Sequence, residues 1–254
     1  MNSAEGKMLG RVRALLAKAE HPATPRPEAE AAHAKAAELM MRYALDEAML
    51  AAEQGGGPDP IVYWEHVAAG ADGHGRARCT AAGTIVQAYG GRYARRGNGT
   101  YRADVTLLIV STRAARDALE LLLPSLYLQM DQAGRRETDG YMTTLPTESF
   151  PRRADRTRWA NSYFKAFLVG YADSVGRRIT AARELLQHET TSRALVLVNE
   201  QDRIAAEFQN RFPDLGRARA QRLRADGYAA GQTAGRSADI GTGHLTADRS
   251  SLTP

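Results

Sequence analysis

Between Phe164 and Leu186 the chain sets Phe164, Phe167, Leu168, Tyr171, Val175, Ile179, Ala182 and Leu186 at helical spacing, with no proline among them. A stripe of that length holds one face of a helix through about six turns, so the element it predicts is long enough to span its domain. The rest of the body must therefore pack against one long helix. Composition agrees, because 43% apolar residues with only 7% aromatic residues fits a folded, Ala-rich helical protein rather than a disordered chain.

A second helical pattern opens the sequence. Met8, Val12, Leu15, Leu16 and Ala19 fall on one face, with Lys7, Arg11, Arg13 and Lys18 off it. His21-Pro22 ends this helix, because proline disfavours the α conformation in the residue before it. Pro27 then suits the first position of a second helix, and Glu28 and Glu30 meet the positive end of its dipole. Its inner face reads Ala29, Ala32, Ala36, Leu39, Met40 and Tyr43, small residues first, so the two helices can approach closely as an antiparallel hairpin. Asp46 is placed to cap a short third helix before Gly55-Gly56-Gly57-Pro58.

The residues Lys7-Met8-Leu9, Leu15-Leu16-Ala17-Lys18-Ala19, Pro27 to Ala32 and Glu38 to Tyr43 carry a resemblance. Over about the first 45 residues the chain looks like the N-terminal domain of domain-of-unknown-function family 2786, with His33 where the pattern has an apolar or small residue. The remainder is similar to the α/β domain that often follows it in bacterial and bacteriophage proteins, through Arg158-Trp159, Phe164, Phe167 and Gly170. The resemblance implies no agreed activity.

Beyond the hairpin, Ile61 to Val67 reads as a strand, Ala68 to Gly75 as a Gly-rich loop and Arg78 to Tyr89 as a helix. Asn98-Gly99 is preferred two-residue turn chemistry between arms at Arg92 to Arg96 and Tyr101 to Ser111, with Tyr101, Ala103, Val105, Leu107 and Ile109 on one face. Thr112 caps a helix with the stripe Leu119, Leu122, Leu123, Leu126 and Met130. Gly134 to Pro151 is polar and reads as a mobile loop, Ala194 to Val198 as a further strand, Gln201 to Phe212 as a helix, and Leu215 to Gly235 as an Arg-rich helix ending in Gly227, Gly231 and Gly235. The fold class expected is α+β and mostly helical, a small antiparallel sheet with helices on one side behind the helical hairpin. The expected order is a hairpin domain at 1–53, a Gly-rich linker with an edge strand at 54–75, a basic α/β domain at 76–190, a C-terminal helical segment at 191–245 and a flexible tail at 246–254.

Charge is distributed unevenly. The net +5 and pI near 9.5 come from a chain in which Arg outnumbers Lys by 30 to 4, a bias that a GC-rich genome also produces. Residues 1–57 hold seven basic and eight acidic side chains, whereas Arg76 to Arg113 holds seven arginines and one acid, Asp104. A neutral head precedes a basic body. The longest purely apolar runs are far below the roughly 20 residues that span a bilayer, and Met1 to Met8 has no signal-peptide core. With Cys79 as the lone cysteine, no internal disulfide is possible, and a cytoplasmic protein is expected.

The strongest candidate chemistry is phosphate binding. Arg92, Arg95, Arg96 and Arg102 decorate the expected β-hairpin among Tyr89, Tyr93 and Tyr101, while Arg152, Arg153, Arg156 and Arg158 open the long helix, where an external anion would also meet the helix dipole. The plainer alternative is solvated arginines with the tyrosines in the core. DNA or RNA is the expected partner of a non-enzymatic protein. One alternative is an interaction or assembly module that docks a protein on the hairpin. The other is a hydrolase around His66, His74 and Cys79. His66, Asp72, His74 and Cys79 have no usual metal-site spacing, and a solvated loop outweighs a metal site. Arg76 and Arg78 would favour the Cys79 thiolate at a helix start, but no base is identifiable and a buried cysteine is the simpler reading. Gly70, Gly73 and Gly75 lack both a following Gly-Lys-Ser/Thr and dinucleotide-binding order, which favours a flexible connection. No catalytic residue, cofactor or metal is assigned.

Overall fold

The computed structural model describes residues 10–12, 14–15, 17–18, 39, 58–97, 103–188, 191–216, 222–236 and 238, with the backbone alone for 185–188 and 191–197. In chain order the elements are β1 (Ile61–Ala68), α1 (Gly75–Ala88), β2 (Arg92–Arg96), β3 (Val105–Thr112) and α2 (Arg113–Thr144). A short 3-10 turn, Thr147–Ser149, leads to α3 (Arg153–His188), α4 (Thr191–Arg211) and α5 (Ala225–Arg236). The fold is mostly helical α+β.

The sheet order is β1-β3-β2 and both pairings are antiparallel. Trp64 and Tyr93 both lie opposite Ile109, so the pleat turns Trp64, Ala68, Val105, Leu107 and Ile109 onto one face, where all are buried. Helix α1 packs there, its Gly83 so close beneath Tyr93 that a Cβ would lie 2.1 Å from the ring. The opposite face is not bare, contrary to the expectation of helices on one side only. The Phe212 ring lies 6.4 Å from Tyr63, and the Arg211 guanidinium covers Tyr63 at 4.5 Å.

Helix α3 is the spine that its stripe predicts. Phe164, Phe167, Leu168, Tyr171, Val175, Ile179 and Ala182 are all buried. Gly176 packs on Thr84 of α1, and α5 lies against the neighbouring surface. A Cβ on Gly227, Gly231 or Gly235 would meet the carbonyl oxygen of Tyr163, Phe167 or Tyr171 at 2.6, 2.1 or 2.5 Å, so the ladder is a close helix contact. Helix α5 begins only at Ala225, later than the Arg-rich pattern suggests, and its glycines lie inside it.

Two further elements differ from their sequence patterns. Helix α2 continues through Thr144 instead of giving way to a loop at Gly134. Met130, Gly134, Thr138 and Met142 carry its buried face at four-residue spacing, and a Cβ on Gly134 would sit 2.8 Å from Phe164 and 2.9 Å from Phe167. A helix face built from glycine and threonine has no apolar stripe to reveal it. Ala194 to Val198 is helical rather than a strand, since a short apolar run carries the same pattern in both states. Thr112 caps α2 as expected, its hydroxyl accepting the Ala115 N–H at 3.2 Å, and Asp59 accepts the Ala114 N–H at 3.1 Å.

Of the N-terminal pattern, the described residues among 10–18 are helical. Val12 is fully buried in the same apolar cluster as the sheet and α3, and Leu15 and Leu39 pack against it. The hairpin loop, the third helix and the turn at Asn98-Gly99 lie outside the described residues. Among the described residues no helix is long and apolar enough to cross a membrane.

Candidate functional site

Strand β2 sets its arginines by pleating. Arg92 and Arg96 share the face of Tyr63 and Glu65, and Arg95 stands on the other. Arg96 forks onto Glu65 with contacts of 3.0 and 2.5 Å, and the Tyr63 hydroxyl donates to the same carboxylate at 2.6 Å. The Tyr63 and Arg96 bonds hold the Glu65 carboxyl below its usual range. Arg92 and Arg95 are exposed and have no carboxylate partner among the described residues. Arg102 and Tyr101 lie outside them. Tyr89 is buried and Tyr93 rests on Gly83, so these two rings serve the core instead of offering stacking faces.

At the start of α3 two of the four arginines share one acid. Arg152 and Arg158 both approach Asp155, at 3.0 and 3.6 Å, and remain 75% and 77% exposed. Arg153 is exposed without a carboxylate partner among the described residues. Arg156 turns inward, donating to the Met142 carbonyl at 2.8 Å and covering the Phe150 ring at 5.6 Å. It thus satisfies one of the last carbonyls of α2, which have no partner within their own helix.

An aromatic cluster adjoins these arginines. Trp159 is 38% exposed, meets Phe150 edge-on at 5.8 Å, and carries the Arg224 guanidinium over its ring at 3.7 Å. Arg224 is braced by Asp226 at 2.5 Å, which also accepts the Tyr141 hydroxyl at 2.7 Å. Burial pushes the Asp226 carboxyl up, but bonds from Arg224, Tyr141 and the Gly227 N–H outweigh it and hold the group at about 2. Tyr141 stacks on Tyr163 at 4.2 Å. Trp159 was visible in the sequence beside Arg158, whereas Tyr141 of α2, Arg224 just before α5 and Asp226 in its first turn carry no local signal.

The residues considered for a hydrolytic site are occupied separately. His66 stacks on Tyr127 with ring centroids 5.6 Å apart and a 3.2 Å contact to its hydroxyl, and burial lowers its pKa. His74 is buried edge-on to Phe164 at 4.7 Å, with no partner for Nδ1 among the described residues. Cys79 is fully buried, as the simpler reading has it, and burial pushes its thiol up to about 11, so Arg76 and Arg78 do not activate it. Arg78 is committed elsewhere, pairing with Asp72 at 2.7 Å and Asp131 at 2.5 Å. Among the described residues no three His, Cys, Asp or Glu side chains group so as to hold a metal ion.

The glycine loop is likewise a clamp, not a flexible connection. The Gly70 N–H donates to Asp104 at 2.7 Å, and the His74 N–H to Asp72 at 3.0 Å. The Gly73 N–H bonds Gly70, and a Cβ on Gly70 would lie 1.9 Å from the Ala103 oxygen. Carboxylates of the chain thus already hold the Gly70 and His74 amides of this loop.

Residues 7–47 match the model of a family described as a protein of unknown function (DUF2786). No curated protein and no solved structure matches the chain. The DUF2786 segment contains the buried Val12 and ends before β1. Both arginine clusters and the Trp159 cluster lie C-terminal to it, so the family match itself assigns them no role.

Proposed function

We propose that this chain is a non-enzymatic binding protein for single-stranded nucleic acid, with phosphates on the arginines that open α3 and a base against Trp159. The observation that carries this reading is two highly exposed guanidiniums, Arg152 and Arg158, sharing one carboxylate, Asp155, with the exposed Arg153 beside them and a partly exposed tryptophan, Trp159, in the next turn. An exposed ion pair is worth about 0–1 kcal/mol, so a phosphate displaces Asp155 from Arg152 and Arg158 at little cost. The N-terminus of α3 adds a favourable dipole for the same anion. Arg92, Arg95, Arg96 and Arg102 supply a second contact in this reading, with one described carboxylate, Glu65, set against them.

Anisotropy titration of a labelled single-stranded oligonucleotide across a salt series tests it. Affinity should fall with salt by a log–log slope of about −0.7 for each phosphate neutralised. Arg153→Ala with Arg158→Ala should flatten that slope by about 1.4. Trp159→Ala should cost about 1–3 kcal/mol of binding, and in the unmodified protein binding should quench Trp159, while Trp64 stays buried. Binding that shows no salt slope, or that ignores both substitutions, removes the reading.

A further inference from the structure

A cavity of about 370 Å³ opens where α1 hands over to β2, lined by Gln87, the turn residues Gly90 and Gly91, Arg92 and Tyr93 of β2, and Gln201 and Phe208 of α4. Its volume lies within the roughly 300–1,000 Å³ of small-molecule sites. The turn closes tightly, since Gly90 has φ +86° and a Cβ on Gly91 would lie 2.8 Å from Val86. Gln87 and Gln201 come from different helices, both exposed, and neither side-chain amide has a hydrogen-bond partner among the described residues. Arg92 is exposed without a carboxylate partner among them, and Phe208, half-buried against Phe212 at 5.1 Å, forms an apolar wall.

This lining is chemically selective. A purely apolar ligand would desolvate a guanidinium and two amides without replacing their hydrogen bonds. A bare inorganic anion would answer Arg92 and leave the ring and the amides unused. A planar ring with donors and acceptors on its edge, joined to a phosphate, answers all of them. We infer that the cavity binds a nucleotide, with its phosphate on Arg92, its base against Phe208 and the base edge on the Gln87 and Gln201 amides. The nucleotide is either free or one unit of a strand, and only the second case rests on the function proposed above.

Calorimetric titration of the full chain with adenosine, guanosine, cytidine and uridine monophosphates, run beside the oligonucleotide titration, separates the two sources. Saturable binding of at least one monophosphate, weakened about tenfold or more by Gln87→Ala with Gln201→Ala but unaffected by Arg153→Ala with Arg158→Ala, establishes a free-nucleotide site. If the occupant belongs to a strand, the glutamine pair instead weakens oligonucleotide binding about tenfold. Both glutamines are exposed, and circular dichroism checks that the variant keeps its fold. No monophosphate binding at millimolar concentration, together with oligonucleotide behaviour unchanged by the glutamine pair, overturns the inference. Monophosphate binding that the glutamine pair weakens, without strand binding, keeps the cavity and removes the proposed function, while strand binding indifferent to the glutamines, with no monophosphate binding, does the reverse.

Discussion

Arg78 has 9% of its side chain exposed and joins Asp72, in the loop before α1, to Asp131 of α2, with a further bond to the Ala69 carbonyl at 2.9 Å. Arg78→Met would keep the bulk and leave Asp72 and Asp131 with only the exposed Arg135, 3.5 and 3.7 Å away, as a cation. The expected loss is about 3 kcal/mol in urea unfolding, the low end for a broken buried pair because Asp72 and Asp131 keep some contact with water. The Arg78 bond holds the Asp72 carboxyl at about 2, below its ordinary 3.8. A lowered acid stabilises the fold above its unfolded pKa, so this contribution is present above about pH 4 and fades as pH falls toward 2. Glu200 has the opposite sign. Burial, with Asp59 adding to it, raises its carboxyl to about 7 from an ordinary 4.5. The folded state then holds a proton that the unfolded chain releases, so stability falls as pH rises from 4.5 to 7 and stays lower above. Glu200→Gln should nearly match the parent near pH 4.5 and exceed it by up to about 3 kcal/mol at pH 8 in the same unfolding measurement. Cys79, buried and hard to ionise, should resist a thiol reagent in the native protein and react only on unfolding.

At the scale of elements, glycine and threonine decide contacts that large apolar residues only announce. The α3–α5 contact places Gly231 where a Cβ would lie 2.1 Å from the Phe167 carbonyl oxygen and 2.8 Å from the Tyr171 nitrogen, both backbone atoms of a helix that cannot yield cheaply. Gly231→Ala gains up to about 1 kcal/mol of helix propensity, yet overpacking of a close contact costs about 1–3 kcal/mol. A net fall in melting temperature is expected, and an unchanged or raised value would show that α5 does not dock as closely as described. The same chemistry explains why α2 was legible only to Met130. Leucines mark its first half, while Gly134 and Thr138 mark its second, and those two residue types ordinarily signal turns and surface. By contrast, the Thr112 cap and the arms of β2 and β3 were legible because capping and alternation are local rules.

For the whole molecule, Val12 links the family-matched segment to the basic body, since it is fully buried in the cluster that includes Leu107, Ile109, Phe167 and Ile179. Val12→Ala should therefore lower the stability of the body by about 2 kcal/mol, read as a shift of one shared unfolding transition. A separate early transition that leaves the main one unmoved would place the N-terminal helix outside the cooperative core. The charge asymmetry between a neutral head and a basic body was legible from composition. Its neutralisation was not. Asp155 lies three residues from both Arg152 and Arg158 and was legible as a neighbour, but Glu65 reaches Arg96 across the sheet, and Arg156 turns to α2 instead of to solvent.

The sequence by itself determined the long α3 spine, the strand that became β1, the β2–β3 arms, the cap at Thr112 and the match of residues 7–47, because periodicity, capping and short motifs are properties of neighbouring residues. Only the tertiary structure decided that Arg78 serves two carboxylates instead of activating Cys79, that Tyr89 and Tyr93 belong to the core, and that Arg224 stacks on Trp159. It also decided that Gln87 and Gln201 face one cavity. Each of those outcomes joins residues from separate elements, and burial, which sets both partner choice and pKa, exists only once those elements have packed.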